Sequence, residues 1–324
     1  MAVTLRRHLV NLSLRRMNYD RLTVVYLLLS AFYPALKPSV FPAPWTNAAL
    51  HAGLALFVWF VPPLMRASGR TIWRLLGEIY LPLIFPLFYA EMEYLGVIYF
   101  PFENSLDPAL IRLEEWIFGC QPSVAWSQAW PWPWFHELME FAYFTYYFLA
   151  VAYVGLVMRA RSADADFNAD PERRWDALRD FVRDLSVTML ICYTFYTLFP
   201  AWGPKYFRLG LLEVGGGPFT AIMRHIHENG AILGAAFPSS HVAASLIPWW
   251  HTWRRFPRHR WWMTTLFVLL CMSTVYNRYH YVVDVFAGLL LGALVMYAGA
   301  RLGDTARDRL RWRRRWARPA RPQK

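Results

Sequence analysis

The chain is short of charge and of cysteine. Asp, Glu, Lys and Arg make up 17% of its 324 residues, where a soluble domain carries about 25%. So few charges do not furnish the water-facing surface of one or two soluble domains. The apolar share of 56% points the same way, to lipid as the solvent. The cysteines Cys120, Cys192 and Cys271 have no paired spacing, and two of them fall in apolar runs. Neither a disulfide framework nor a cysteine metal site is implied. No internal repeat is present. The Gly215-Gly216-Gly217-Pro218 run lacks the preceding strand and the following lysine of a phosphate loop, so it reads as a flexible loop. The net charge of +12 comes without zinc-finger spacing or an aromatic RNA-binding signature, which argues against a nucleic-acid partner.

Long apolar runs and aromatics are what the chain does have, with 17 Trp, 18 Tyr and 23 Phe, many of them where apolar runs meet polar ones. A membrane helix needs about 20 apolar residues. The candidate spans are Leu22 to Leu36, Asn47 to Met65, Leu75 to Phe100, Trp134 to Met158, Phe181 to Trp202, His241 to Trp253, Trp262 to Tyr276 and Tyr281 to Ala300. The expected fold is therefore all-α, a polytopic transmembrane bundle of about eight spans, with six or seven as alternatives because the sixth and seventh are short. Arg6, Arg7, Arg15 and Arg16 precede the first run, which has no small-residue cleavage site and reads as a retained signal anchor. Pro82 and Pro86 are tolerable where neighbouring helices satisfy the freed backbone.

Basic residues crowd the N-terminus, Arg66 to Arg74, Arg159 to Arg183, Arg254 to Arg260 and Arg301 to Arg318. The alternate connections, Pro38 to Thr46 and Pro101 to Pro133, hold almost none, and the longer carries Glu103, Asp107, Glu114 and Glu115. By the positive-inside rule both termini are expected in the cytoplasm. Residues 1–158 then form N-terminal membrane helices, 159–180 a cytoplasmic loop, 181–300 a catalytic core and 301–324 an Arg-rich tail. The tail from Arg307 to Arg321 is expected to lie on anionic headgroups. The stretches Gly203 to Pro238 and Asn277 to His280 fall on the far side.

Three pieces of chemistry sit on that far side. In the first, His280 and Asp284 are four apart, so the carboxylate can orient one imidazole nitrogen and leave the other as a nucleophile. In the second, Phe237-Pro238-Ser239-Ser240-His241, a helix start aims the backbone at Ser239 and Ser240 toward an anion, and His241 can protonate a leaving oxygen. The third, Pro200 to Arg208, offers Lys205 and Arg208 to phosphate oxygens.

The second and first pieces resemble the later two motifs of the type 2 phosphatidic acid phosphatase superfamily, Pro-Ser-Gly-His and Ser-Arg-x-x-x-x-x-His-x-x-x-Asp. Ser240 stands at the glycine, and the later motif runs from Ser273 to Asp284. The resemblance covers roughly residues 181 to 300. It implies His280 as nucleophile, Asp284 as its orienter and His241 as the group serving the leaving oxygen, with no cofactor and no metal. Two departures stand out. The motif arginine is Thr274, for which Arg278 is a candidate substitute. The family's first motif, Lys-x-x-x-x-x-x-Arg-Pro, is absent, because Leu212 and Glu213 hold the places of Arg-Pro after Lys205. The Gly203-Pro204-Lys205-Tyr206 element looks more like the branch of fungal inositol phosphorylceramide synthase. That branch implies transfer of a phospho-headgroup from a phospholipid to an alcohol. Simple hydrolysis of phosphatidic acid, a sphingoid phosphate or a polyprenyl phosphate is the alternative, and a lipid transporter is an alternative of another class.

Carboxylates inside spans are costly, so each is a site candidate. Glu91, Glu93, Glu137 and Glu140 lie toward the outer ends of their helices and could line a headgroup pocket. The competing reading has them, and Glu78, pairing within the bundle. His136-Glu137-Leu138-Met139-Glu140 superficially resembles a zinc-protease helix but has Glu140 where the second histidine belongs. His225 and His227 are expected on a lid or interfacial helix rather than in a metal site. The expected partners are membrane lipids, one of them a phospholipid or lipid phosphate as substrate.

Overall fold

The computed structural model describes residues 17–32, 43–96, 104–160, 172–207, 216–230 and 232–302. The Arg-rich termini, Arg208 and most of the 159–180 loop's first half lie outside the described residues, as does the side chain of Glu93. Twelve α-helices make up the described part: α1 (Asn18–Phe32), α2 (Pro44–Ala67), α3 (Thr71–Gly96), α4 (Asp107–Phe118), α5 (Pro122–Ala129), α6 (Pro133–Phe144), α7 (Tyr146–Arg159), α8 (Glu172–Leu198), α9 (Pro218–Gly230), α10 (Ser240–Arg255), α11 (Arg260–Tyr276) and α12 (Val282–Leu302).

Among the described residues three stretches, Pro44–Ala67, Thr71–Met92 and Val282–Arg301, are long and apolar enough to cross a membrane. The α6–α7 pair, bent by 48°, makes a fourth if it is one broken span. The expected span from Trp134 to Met158 is thus two helices, with the break at Thr145. Its hydroxyl donates to the Ala142 carbonyl at 2.6 Å, a local bond that competes with the helical ladder. Helices α1, α10 and α11 have 15, 16 and 17 residues, and α8 carries charge through its first half. Large apolar side chains are exposed along the helices, among them Leu29, Phe32, Leu56, Leu83, Val151, Phe286 and Leu290, as lipid-facing surfaces require.

The connection from Pro101 to Pro133 is more ordered than a loop. Pro108 at the start and Gly119 in the left-handed conformation (φ 69°) bound α4, and the Gly119 N–H closes on the Glu115 carbonyl.

The core is where α8, α10 and α12 pack together. Gly288 and Gly292 on α12 form a small-xxx-small face against α10. A Cβ at Gly288 would lie 2.5 Å from the Ser239 carbonyl oxygen, and one at Gly292 would lie 3.2 Å from that of Ala243. Only glycine permits this close approach. The N-terminal helices join through ions. Arg179 on α8 reaches Glu78 on α3 at 2.8 Å, Tyr19 donates to the same carboxylate, and Arg66 pairs with Asp20 at 2.6 Å. The competing reading of Glu78, as internal pairing, describes this arrangement.

Candidate active site

At the other end of α10 and α12 the three pieces of sequence meet. A parallel bridge joins Ala201 to Ala235, with the Ala236 N–H on the Ala201 carbonyl at 2.9 Å, so the third piece is pinned to the second. Gly203, at φ 88°, lets the chain press against the first, since a Cβ there would sit 2.9 Å from the Tyr279 carbonyl oxygen. Asp107 on α4 holds the junction. It accepts the Trp202 and Gly203 N–H groups at 2.7 and 2.8 Å and the Tyr281 hydroxyl at 3.0 Å.

The first piece is reached through a Schellman closure at the end of α11. The Tyr279 N–H reaches the Thr274 carbonyl at 3.0 Å and the Arg278 N–H that of Val275 at 2.9 Å. Arg278 occupies the left-handed position (φ 60°) that glycine usually takes. Its guanidinium is buried against the Ser127 hydroxyl on α5, at 2.9 and 2.7 Å. The structure thus places Arg278 as a tie to α5. Thr274 is buried, with its hydroxyl on the Cys271 carbonyl.

His280 emerges from this turn just before α12, 3% exposed. Its Nδ1 lies 2.9 Å from the Ala236 carbonyl and 3.4 Å from Asp284 Oδ2. A carbonyl can only accept, so Nδ1 carries the hydrogen and Nε2 has the free lone pair. The expected carboxylate orienter is therefore shared with a backbone carbonyl. Asp284 itself reaches back to the Tyr281 N–H at 2.9 Å, one half of a capping box.

Nε2 of His280 faces Nδ1 of His241 at 3.4 Å, and His241 Nε2 meets the Tyr143 hydroxyl at 2.9 Å. Since the lone pair sits on His280 Nε2, His241 donates from Nδ1 and accepts from Tyr143, and a directed row runs from tyrosine through both imidazoles. Tyr146 packs against the His241 ring from the other side of the α6–α7 break, with centroids 4.4 Å apart. The second piece is locked from below. Ser239 caps α10 through the Val242 N–H. The Ser239 N–H donates to the Asp284 carbonyl at 3.1 Å, and that of Ser240 to the Tyr196 hydroxyl at 3.1 Å. The two N–H groups expected to be offered to phosphate are thus engaged with protein acceptors.

Lys205, on a 3-10 turn at Pro204–Phe207, stands 5.0 Å from the Tyr279 ring centroid. Burial lowers its ammonium below the usual lysine range, with Glu140 and Glu228 opposing that shift. Tyr279 donates its hydroxyl to Glu140 at 3.0 Å. His227 on α9 lies 4.4 Å from the Tyr279 ring, and burial with the nearby Lys205 pushes its imidazole down to about 3.

The four carboxylates expected around a headgroup divide. Glu140 borders the site. Glu137 caps α9, accepting the Gly217, Phe219 and Thr220 N–H groups and the Thr220 hydroxyl. Glu91 turns to α2, where it meets His51 at 2.8 Å. Glu93 lies on α3.

Glu114 was visible in sequence only as an acidic residue of a connection. It is fully buried and accepts the Val282 and Val283 N–H groups at the start of α12. Desolvation above all, with the nearby Asp284 charge, raises its carboxyl to about 7, against the opposing pull of those two hydrogen bonds. Tyr143, Tyr279 and the Ala236 carbonyl also went unsingled by sequence reasoning. The clearest available signal was the Asp107-Pro108 helix start, which announces that α4 belongs to the folded core.

The family profile described as the PAP2 superfamily matches residues 108–298, more than half of the chain. The chain therefore belongs to the PAP2 superfamily, a superfamily of phosphatases and phosphotransferases acting on phosphoesters. It is 26% identical over 165 residues to a PA-phosphatase related-family protein of Dictyostelium discoideum. That alignment takes in 47% of this chain and 30% of the relative's length. No solved structure matches the chain. The match begins inside α4, so the acidic pins at Asp107 and Glu114 stand at and just within its start.

Proposed function

We propose that this protein is an integral membrane enzyme that moves a phosphate or phospho-headgroup of a lipid phosphoester through a phosphohistidine on His280. The observation that carries the reading is the directed hydrogen-bond row, with Nδ1 of His280 occupied and its Nε2 lone pair facing the Nδ1 of His241 at 3.4 Å. Such an imidazole is an oriented nucleophile beside a proton donor. The direct contact between the rings means that an entering phosphoryl group parts them.

An anionic phosphoester beside His241 favours its imidazolium, so in the first step Nε2 of His280 attacks phosphorus, the bond from phosphorus to the leaving oxygen breaks, and His241 gives that oxygen a proton and becomes neutral. In the second, an acceptor hydroxyl yields its proton to His241 while its oxygen attacks phosphorus and the bond to His280 breaks. Asp284 and the Ala236 carbonyl hold the imidazole throughout, and Lys205, beside Tyr279, is proposed to hold the phosphoryl oxygens.

Water and an alcohol compete for the second step. The His241 ring is packed between Tyr143 and Tyr146, and water exclusion of this kind favours transfer to an alcohol over hydrolysis. Eight spans with both termini cytoplasmic complete the reading. In support of it, Asp184, midway along α8, pairs with His251 in the last turns of α10, remote from His241, alongside Arg183 and Arg255. Gly299, near the end of α12, packs on Arg183 and Asp184, so basic residues gather at the end away from the histidines.

Phospholipid with a labelled phosphate, supplied with and without an alcohol acceptor, tests the proposal. Label should appear on the acceptor with the wild type and nowhere with His280→Ala. Wild-type turnover by His280→Ala would refute the phosphohistidine. Release of label only as free phosphate would replace transfer by hydrolysis.

A further inference from the structure

The superfamily's later motif places an arginine where this chain has Thr274, and Thr274 is buried with its hydroxyl on a backbone carbonyl. Arg278, the nearest replacement in sequence, is tied to Ser127. The site described above therefore has Lys205 as its phosphate-directed cation among the described residues, and one more donor is wanted for a phosphoryl group with three oxygens.

The geometry points to His227 as a phosphate-binding residue, a third imidazole delivered to the site by α9. His227 packs on Tyr279 with ring centroids 4.4 Å apart and on Tyr143 at 5.9 Å, and Tyr143 is the tyrosine bonded to His241. Lys205 lies over the same Tyr279 ring. The Nδ1 of His227 is buried with no hydrogen-bond partner, which is costly unless something else supplies one.

The delivery is built, since α9 cannot sit elsewhere without breaking its start. Glu137 takes hydrogen bonds from three N–H groups and one hydroxyl there, and a Cβ on Gly217 would meet the Glu137 carboxyl carbon at 2.8 Å. Phe219 seats against Phe141 and Phe144 of α6. The helix is thereby stapled to α6, the helix that also bears Tyr143 and Glu140.

Burial, and then the nearby Lys205 charge, keep His227 neutral. The groups around it are Lys205, the tyrosines Tyr143 and Tyr279, Glu140 bonded to Tyr279, and His241, while Glu228, next to it on α9, acts on Lys205. An arriving phosphate dianion reverses that balance and draws a hydrogen bond or a proton onto the ring.

This inference rests on the phosphohistidine reading, and the experiment separates the two. Inhibition of the purified full-length protein by inorganic phosphate and by orthovanadate would be measured for the wild type, His227→Ala, His227→Gln, His227→Arg and His280→Ala. His227→Ala should weaken both inhibitors and lower kcat/KM by about tenfold or more, the range of a hydrogen bond to a charged group. His227→Arg should recover most of both, and the thermal midpoint should stay near wild type. If the alanine variant fails to fold, the glutamine variant carries the same comparison. Unchanged inhibition in the alanine or glutamine variant, or no recovery with arginine, overturns the role of His227. Retained turnover in His280→Ala overturns the phosphohistidine instead.

Discussion

Glu114→Gln isolates the contribution of one buried carboxylate to the site's foundation. In the wild type the carboxylate caps the first turn of α12 through the Val282 and Val283 N–H groups, and its second oxygen is buried with no partner. Burial raises the group from 4.5 to about 7. The folded protein thus holds this proton more tightly than the unfolded chain, so the stability linked to it is fully present below pH 4.5. It is lost as pH rises through about 7. A shift of this size is worth roughly 3 kcal/mol at about 1.4 kcal/mol per unit. Glutamine keeps a carbonyl for the two N–H groups and cannot ionise. Relative to the wild type, the variant should be similar near pH 4.5 and more stable at pH 8, by about 3 kcal/mol or on the order of 5 to 10 °C in Tm. The assay is thermal unfolding of both proteins in detergent across that range, read as their difference so that other titrating groups cancel. Parallel curves from pH 4.5 to 8 would refute the raised acidity and the cap's electrostatic cost together.

Gly288→Ala should cost about 1–3 kcal/mol by overpacking; it should also reduce kcat more than KM, because the new methyl meets the Ser239 carbonyl at the head of α10 and pushes His241 away from His280. Unaltered kcat in a folded variant would show that this crossing does not set the histidine spacing. Tyr143→Phe removes the hydroxyl on His241 Nε2, and kcat should fall about five- to tenfold, the kinetic equivalent of roughly 1 kcal/mol; full activity would remove the tyrosine from the row. Asp107→Ala leaves the Trp202 and Gly203 N–H groups and the Tyr281 hydroxyl without their acceptor, so a loss of at least 2 kcal/mol in denaturant unfolding is expected.

The parts of the site legible in the sequence are those written in consecutive residues. Pro238 to His241 and His280 to Asp284 announce themselves through helix starts and spacing, and the structure brings their histidines to hydrogen-bonding range. What supports them comes from far along the chain, where no period points. Glu114 reaches α12 across 168 residues and Tyr143 reaches His241 across 98. Glu137 was legible as a carboxylate inside a helix, but its assignment to a headgroup did not foresee that another helix start would occupy it. The break at Thr145 was hidden for a different reason. Neither proline nor glycine marks it, and the apolar run continues through it. For the fold, apolar runs located α2, α3 and α12 closely, while charge in α8 and the brevity of α10 and α11 blur the same signal.

The break at Thr145 divides loyalties within one span. Before it, α6 is bolted to α9 by Glu137 and packs on α11, and after it α7 packs into α8 and α10. Tyr143 and Tyr146, the two rings against His241, stand on opposite sides of the bend. The His241 imidazole is thus held by both groups of helices at once, and a substitution that straightened the span would pull its two aromatic walls apart.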